Sequence, residues 1–123
     1  MLTATPDCEL EIERGPDWLL VRVRRLEANE ETQGALGKRL WELLQQHFTH
    51  RLMLELDETC RLDSRQAADL SWLCEQIDRH DGVMRICGLS DENRRLLHAC
   101  RLDERLLPYR DRQEAVTGRR RPR

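Results

Sequence analysis

Residues 51–64, Arg-Leu-Met-Leu-Glu-Leu-Asp-Glu-Thr-Cys-Arg-Leu-Asp-Ser, set the tightest limit on what this chain can fold into. Leu52, Leu54 and Leu56 point one way along an extended segment, and Met53 and Glu55 point the other. A short strand that is apolar on most of both sides belongs in the middle of a sheet. A polar loop, Asp57–Arg61, follows it, and Leu62-Asp63-Ser64 then leads into a helix that runs to about Arg79. At about 100° per residue, Ala67, Leu70, Ser71, Leu73, Cys74 and Ile77 share one face of that helix. Trp72 falls nearly opposite, beside Arg65, Asp69 and Gln76. His80-Asp81-Gly82 forms the exit, with Gly82 suited to a left-handed C-cap. A buried strand followed by such a helix returns the chain to the same sheet in parallel, by a right-handed crossover.

The flanking segments continue the alternation. Val83–Cys87 reads as a strand ended by Gly88, and Ser90 caps a helix from Asp91 to about Cys100. Upstream, Glu9–Glu13 and Trp18–Arg24 read as a hairpin across the Arg14-Gly15-Pro16-Asp17 turn. Asn29 can cap another helix, with Glu30 and Glu31 in its first turn. There Leu36, Leu40, Leu43, Leu44 and His47 fall on one face, ending near Phe48, although Gly34 and Gly37 weaken its first half. Leu106–Tyr109 fits a short edge strand, because Pro108 cannot sit in a central one, and Asp111–Val116 fits a last helix. The expected fold is α/β: a mixed sheet of four to five strands covered by about four helices. Residues 1–7 are expected to be a flexible start, 8–117 the domain and 118–123 a disordered basic tail.

Composition narrows the function. The 123 residues suit one domain. Charged residues make up 36%, yet the net charge is only -2, which argues against a surface built for a polyanion. No apolar run reaches the ~18 residues of a membrane helix, and Met1–Cys8 lacks the features of a secretory signal. A soluble, cytoplasmic protein is expected. Cys8, Cys60, Cys74, Cys87 and Cys100 form no CxxC pair, so reduced structural thiols are expected. His47, His50, His80 and His98 are dispersed along the chain with no i, i+4 pair, so no metal site is expected from spacing. There is no glycine-rich phosphate loop, and no cofactor is expected. An enzyme using a reactive cysteine is supported by the cysteine count alone.

The strand–loop–helix at 51–64 resembles the STAS domain of bacterial anti-sigma factor antagonists. In that family a hydrophobic strand ends in an acidic residue and leucine, and a loop then delivers Asp-Ser-(Ser/Thr)-Gly-Leu to open a helix. Asn93 to Asp103 is similar to the family's third helix and its exit, and Leu106–Tyr109 followed by Glu114-Ala115-Val116 to its closing segment. The resemblance covers roughly residues 9–116. It departs at Arg65-Gln66, where the family has a small residue and glycine. It departs also at Thr59 and Arg61, where apolar residues are preferred, and at Arg101, which replaces a common glycine.

The resemblance implies a regulator that binds other proteins and is not an enzyme. It implies Ser64 as the phosphorylation target. The unphosphorylated protein would bind an anti-sigma factor, often itself the serine kinase, and a phosphatase would reset the switch. Glu55 stands in for the usual strand-end aspartate, and Asp57 and Asp63 join it around the serine. On helix spacing, Ser64, Arg65, Ala68 and Trp72 form the expected partner surface, since an exposed tryptophan beside arginine is typical of a binding hot spot. Trp18 and Trp41 flank apolar faces and are expected to be structural. Two alternatives stay open. Asp63 or Ser64 need do no more than cap the helix. The loss of the small–Gly pair also suits a constitutive accessory subunit of a lipid or anion transport system, with no kinase involved.

Overall fold

The computed structural model describes residues 2–5, 8–26, 35–57, 62–102, 106 and 108–117. Their order is β1 (Leu2–Thr5), β2 (Cys8–Arg14), β3 (Leu19–Leu26), α1 (Ala35–Gln46), β4 (Arg51–Leu56), α2 (Ser64–Arg79), β5 (Val83–Cys87), α3 (Asp91–Ala99), β6 (Pro108–Tyr109) and α4 (Arg112–Thr117). All six strands form one sheet whose order follows the chain, β1-β2-β3-β4-β5-β6. β1, β2 and β3 pair antiparallel, while β3, β4, β5 and β6 run parallel. The register places Val21 beside Leu54 and Leu54 beside Ile86, so the apolar positions of three strands line up on one side.

Strand alternation separates two cores. Leu19, Val21, Val23, Leu52, Leu54, Leu56 and Ile86 bury one face against Leu40 and Leu44 of α1, Leu70, Leu73 and Ile77 of α2 and Leu97 of α3. The opposite face holds a smaller cluster of Trp18, Met53, Cys87, Tyr109 and Ala115, in which Ala115 belongs to α4. The guanidinium carbons of Arg51 and Arg85 lie 4.3 and 4.8 Å from the Trp18 ring centre, a cation–π arrangement. Burial pushes the Cys87 thiol up to about 12, with Glu55 adding to the shift and Arg112 opposing it.

Several details differ from the sequence reading. Where a flexible start was expected, Leu2–Thr5 pairs with Cys8–Glu11 and extends the sheet to six strands. Among the described residues the last strand covers Pro108 and Tyr109, paired at the edge with Ile86 and Cys87. The left-handed residue after α2 is Asp81, at φ 56°, and not Gly82. Gly82 is needed for space, because a side chain there would collide with the His50 carbonyl oxygen. Three helices end in the same way. Phe48, Asp81 and Arg101 all adopt left-handed backbone, and the following N–H of Thr49, Gly82 and Leu102 bonds back to Leu44, Ile77 and Leu97. That is the Schellman closure, here built three times without glycine at its left-handed position. The proposed cap Asn29 and the basic tail lie outside the described residues.

Asp69 is also unlike its expectation. Helical spacing sets it beside Trp72 on the outer side, yet it is buried and reaches across to α1. Its Oδ2 accepts the Gly37 N–H at 2.6 Å, satisfying one of the first-turn donors that a helix leaves open. Burial raises the Asp69 carboxyl above its ordinary value, against the opposing effects of the Gly37 N–H and Lys38.

Candidate functional site

The mouth of α2 is built by three separate contacts. Leu62 N–H donates to Asn93 Oδ1 at 3.0 Å, so a buried side chain of α3 fixes the approach to the helix. Asp63 is the N-cap: its Oδ1 accepts the Gln66 N–H at 2.9 Å. Gln66 answers through its own Oε1, which accepts the Asp63 N–H at 2.9 Å. This reciprocal capping box uses the Asp-Ser-Arg-Gln spacing, and it gives Gln66 a structural reason for standing where the resembling family has glycine. Asn93 and Gln66 were missed as site-forming residues. The aspartate-to-glutamine spacing was the signal for Gln66, whereas nothing local to Asn93 announces a contact 31 residues away.

Ser64 is the first residue of α2 and is exposed. Among the described residues its hydroxyl has no hydrogen-bond partner. The cap belongs to Asp63, so the hydroxyl is released from that duty. Arg65, Ala68 and Trp72 are exposed as well. Their spacing from Ser64 places all four within an arc of about 100°, along roughly 12 Å of helix. Trp72 keeps 37% of its surface, which makes it the large apolar group of the strip. The helix thus presents a hydroxyl, a guanidinium, a methyl and an indole side by side.

The remaining candidates are not all brought to this strip. Asp57 closes β4, half-buried, with its carboxylate 3.3 Å from Arg22. Glu55 lies on the other face of the sheet, with Met53, where its carboxylate is 3.2 Å from Arg112 of α4. Arg112 also reaches Glu13 at 3.2 Å, so Glu55 is engaged in bridging β4 to α4 and β2. The resemblance places Glu55 around Ser64 as the strand-end acidic residue, but strand alternation turns its side chain away. A groove of about 1010 Å³ lies on that far face, walled by Glu11, Glu13, Arg22, Glu55 and Arg112. It is a charged surface cross-linked by ion pairs and does not include Ser64. Among the described residues, no helix is long and apolar enough to cross a membrane.

An anionic group on the Ser64 oxygen would sit at the amino end of α2, where the helix dipole favours negative charge.

No protein-family model matches the sequence, and no curated protein matches it. Solved structures do. An anti-sigma factor antagonist from Mycobacterium paratuberculosis superimposes with a TM-score of 0.75 at 20% identity, over 94% of this chain and 97% of that one. The protein TM1081 from Thermotoga maritima gives 0.73 at 19% identity, over 91% and 95%. A serine-to-glutamate variant of RsbS from Moorella thermoacetica gives 0.71 at 13% identity, over 89% and 92%. This chain has the STAS fold of the anti-sigma factor antagonists, with its mixed sheet and helical cover.

Proposed function

We propose that this protein is a partner-switching regulator of the anti-sigma factor antagonist kind, controlled by phosphorylation of Ser64. One observation carries the reading. Ser64 is exposed at the start of α2, its cap is supplied by its neighbours, and it shares a strip with Arg65, Ala68 and Trp72. The unmodified strip binds an anti-sigma factor that is itself, or is accompanied by, a serine kinase. A phosphatase restores the unmodified state. The likeness to structures named as anti-sigma factor antagonists supports this choice of partner.

The size of the effect follows from charge. A phosphate adds about -1.5 to -2 at neutral pH. Under a bound partner it would be desolvated beside Asp63, and an unpaired buried charge costs on the order of 3–5 kcal/mol. At about 1.4 kcal/mol per tenfold, binding falls roughly a hundredfold or more. Trp72, as the large apolar group of the strip, is the contact whose truncation costs most, about 2 kcal/mol or more. The departure at Gln66, which favoured a constitutive subunit, has its own explanation in the capping box.

The test is to incubate the protein with its candidate kinase and ATP and to map any added mass. Modification at Ser64, and loss of partner binding in Ser64→Glu and Trp72→Ala proteins that remain folded, is the expected result. A Ser64→Ala protein phosphorylated to the same extent as the wild type removes the assignment.

A further inference from the structure

At the opposite end of β4 from Ser64, the fold assembles a second cluster that the partner-switching reading does not use. His50 immediately precedes β4 and His80 caps the end of α2. Thirty residues separate them in sequence, yet their ring centres are 5.0 Å apart. Trp41 of α1 packs on both, at 5.7 Å from His50, stacked, and 5.0 Å from His80, tilted.

We propose that His50 and His80 form a binding site for a divalent transition-metal ion of the zinc, nickel and copper class, with water completing its coordination. Neutral imidazole is the side-chain ligand that suits these ions. With metal–nitrogen bonds of about 2.0–2.1 Å, two imidazoles on one ion hold their ring centres roughly 5 Å apart, the separation found here.

The hydrogen bonding gives a second, independent argument. His80 Nδ1 lies 2.9 Å from the Gln76 carbonyl oxygen. A carbonyl only accepts, so Nδ1 carries the proton and Nε2 keeps its lone pair. A backbone carbonyl bonded to the far nitrogen is the arrangement that orients histidines on metals. Among the described residues, nothing hydrogen-bonds to the ring nitrogens of His50. Each histidine thus has a nitrogen free to coordinate.

The supporting backbone is fixed. The His50 carbonyl accepts the Val83 N–H at 3.0 Å, and the Gly82 N–H closes the end of α2 on Ile77 at 2.9 Å. These bonds tie the segments carrying the two rings to adjacent points of the sheet, while Trp41 covers one side of the pair. Among the described residues no set of three or more histidine, cysteine or carboxylate side chains converges on one point. The described residues thus supply two ligands, the number for a reversible site and not for a structural zinc centre.

The experiment is a titration of the full chain with Ni²⁺ at pH 7.5, followed through the histidine ring and tryptophan indole signals by NMR. Paramagnetic broadening is expected first at His50, His80 and Trp41, ahead of His47 and His98. His80→Gln and His50→Ala should each weaken Ni²⁺ affinity at least about tenfold, while His98→Ala leaves it unchanged. His80 is exposed, so its substitution keeps the fold and decides the matter even if His50→Ala unfolds. Equal broadening at all four histidines, broadening centred on a cysteine, or wild-type affinity in His80→Gln would overturn the proposal.

Discussion

Replacing Asp69 probes how the two helices behind the candidate strip are held together. Its buried carboxylate accepts the Gly37 N–H of α1 at 2.6 Å. Asp69→Ala removes the acceptor and leaves a buried first-turn donor with no partner. Such a group costs about 1–3 kcal/mol, so a loss of about 2 kcal/mol is expected. With a urea dependence of about 1–3 kcal/mol per molar for a small domain, the unfolding midpoint falls by roughly 1 M. Asp69→Asn keeps a carbonyl oxygen for Gly37 and drops the charge, so it should lose far less. The pH dependence has a definite sign. Burial raises the native Asp69 carboxyl above 3.8, so the native state binds the proton more tightly than the unfolded chain does. The cost of the buried charge is carried in full above the native value and is relieved completely below 3.8. The stability of the wild type relative to Asp69→Asn should therefore rise as pH falls from 7 towards 4. Urea melts of the three proteins at several pH values measure all of this. Asp69→Asn as unstable as Asp69→Ala at pH 7, or a wild-type advantage that shrinks on acidification, would refute the reasoning.

Gln66→Ala breaks the capping box and should lower stability by about 1 kcal/mol, whereas Ser64→Ala should unfold at the wild-type midpoint, since its hydroxyl caps nothing. Thermal melts distinguish the two. Phe48→Gly should raise the melting temperature by a few degrees. A left-handed non-glycine residue costs roughly 1–2 kcal/mol, glycine returns roughly 0.5–1 kcal/mol of that as chain entropy, and Phe48, 94% exposed, has almost no packing to lose. In thiol alkylation at pH 8, Cys100, which is exposed, should react well before Cys87, whose thiol is buried and pushed up to about 12. Mass spectrometry of the labelled peptides reads the order, and rapid labelling of Cys87 in the folded protein would contradict the placement.

Much of the architecture is legible in the residues because it rests on period. Leu52, Leu54 and Leu56 alternate as a strand must, and Ala67, Leu70, Leu73, Cys74 and Ile77 recur as one helical face. The exposed strip from Ser64 to Trp72 follows from the same arithmetic. What could not be read depends on partners distant in sequence. Asp69 lies between the two faces of its helix, and its burial is decided by a glycine on another helix that leaves room: a Cβ at Gly37 would stand 2.5 Å from Asp69 Oδ1. Leu2–Thr5 is only four residues long and is a strand through its pairing with the edge of β2. Glu55 is close to Ser64 along the chain but is turned to the far face, and Asp63 takes the cap that either residue could have taken. His50 and His80 show the same limit, since no helical spacing relates two residues that meet through a crossover.

Because neighbouring strands in space are also neighbours along the chain, no strand has to be threaded between two that are already paired. During synthesis from the amino terminus, each new strand finds its docking edge already made. The sheet can lengthen in the order the ribosome delivers it, from the β1 edge to the two-residue β6.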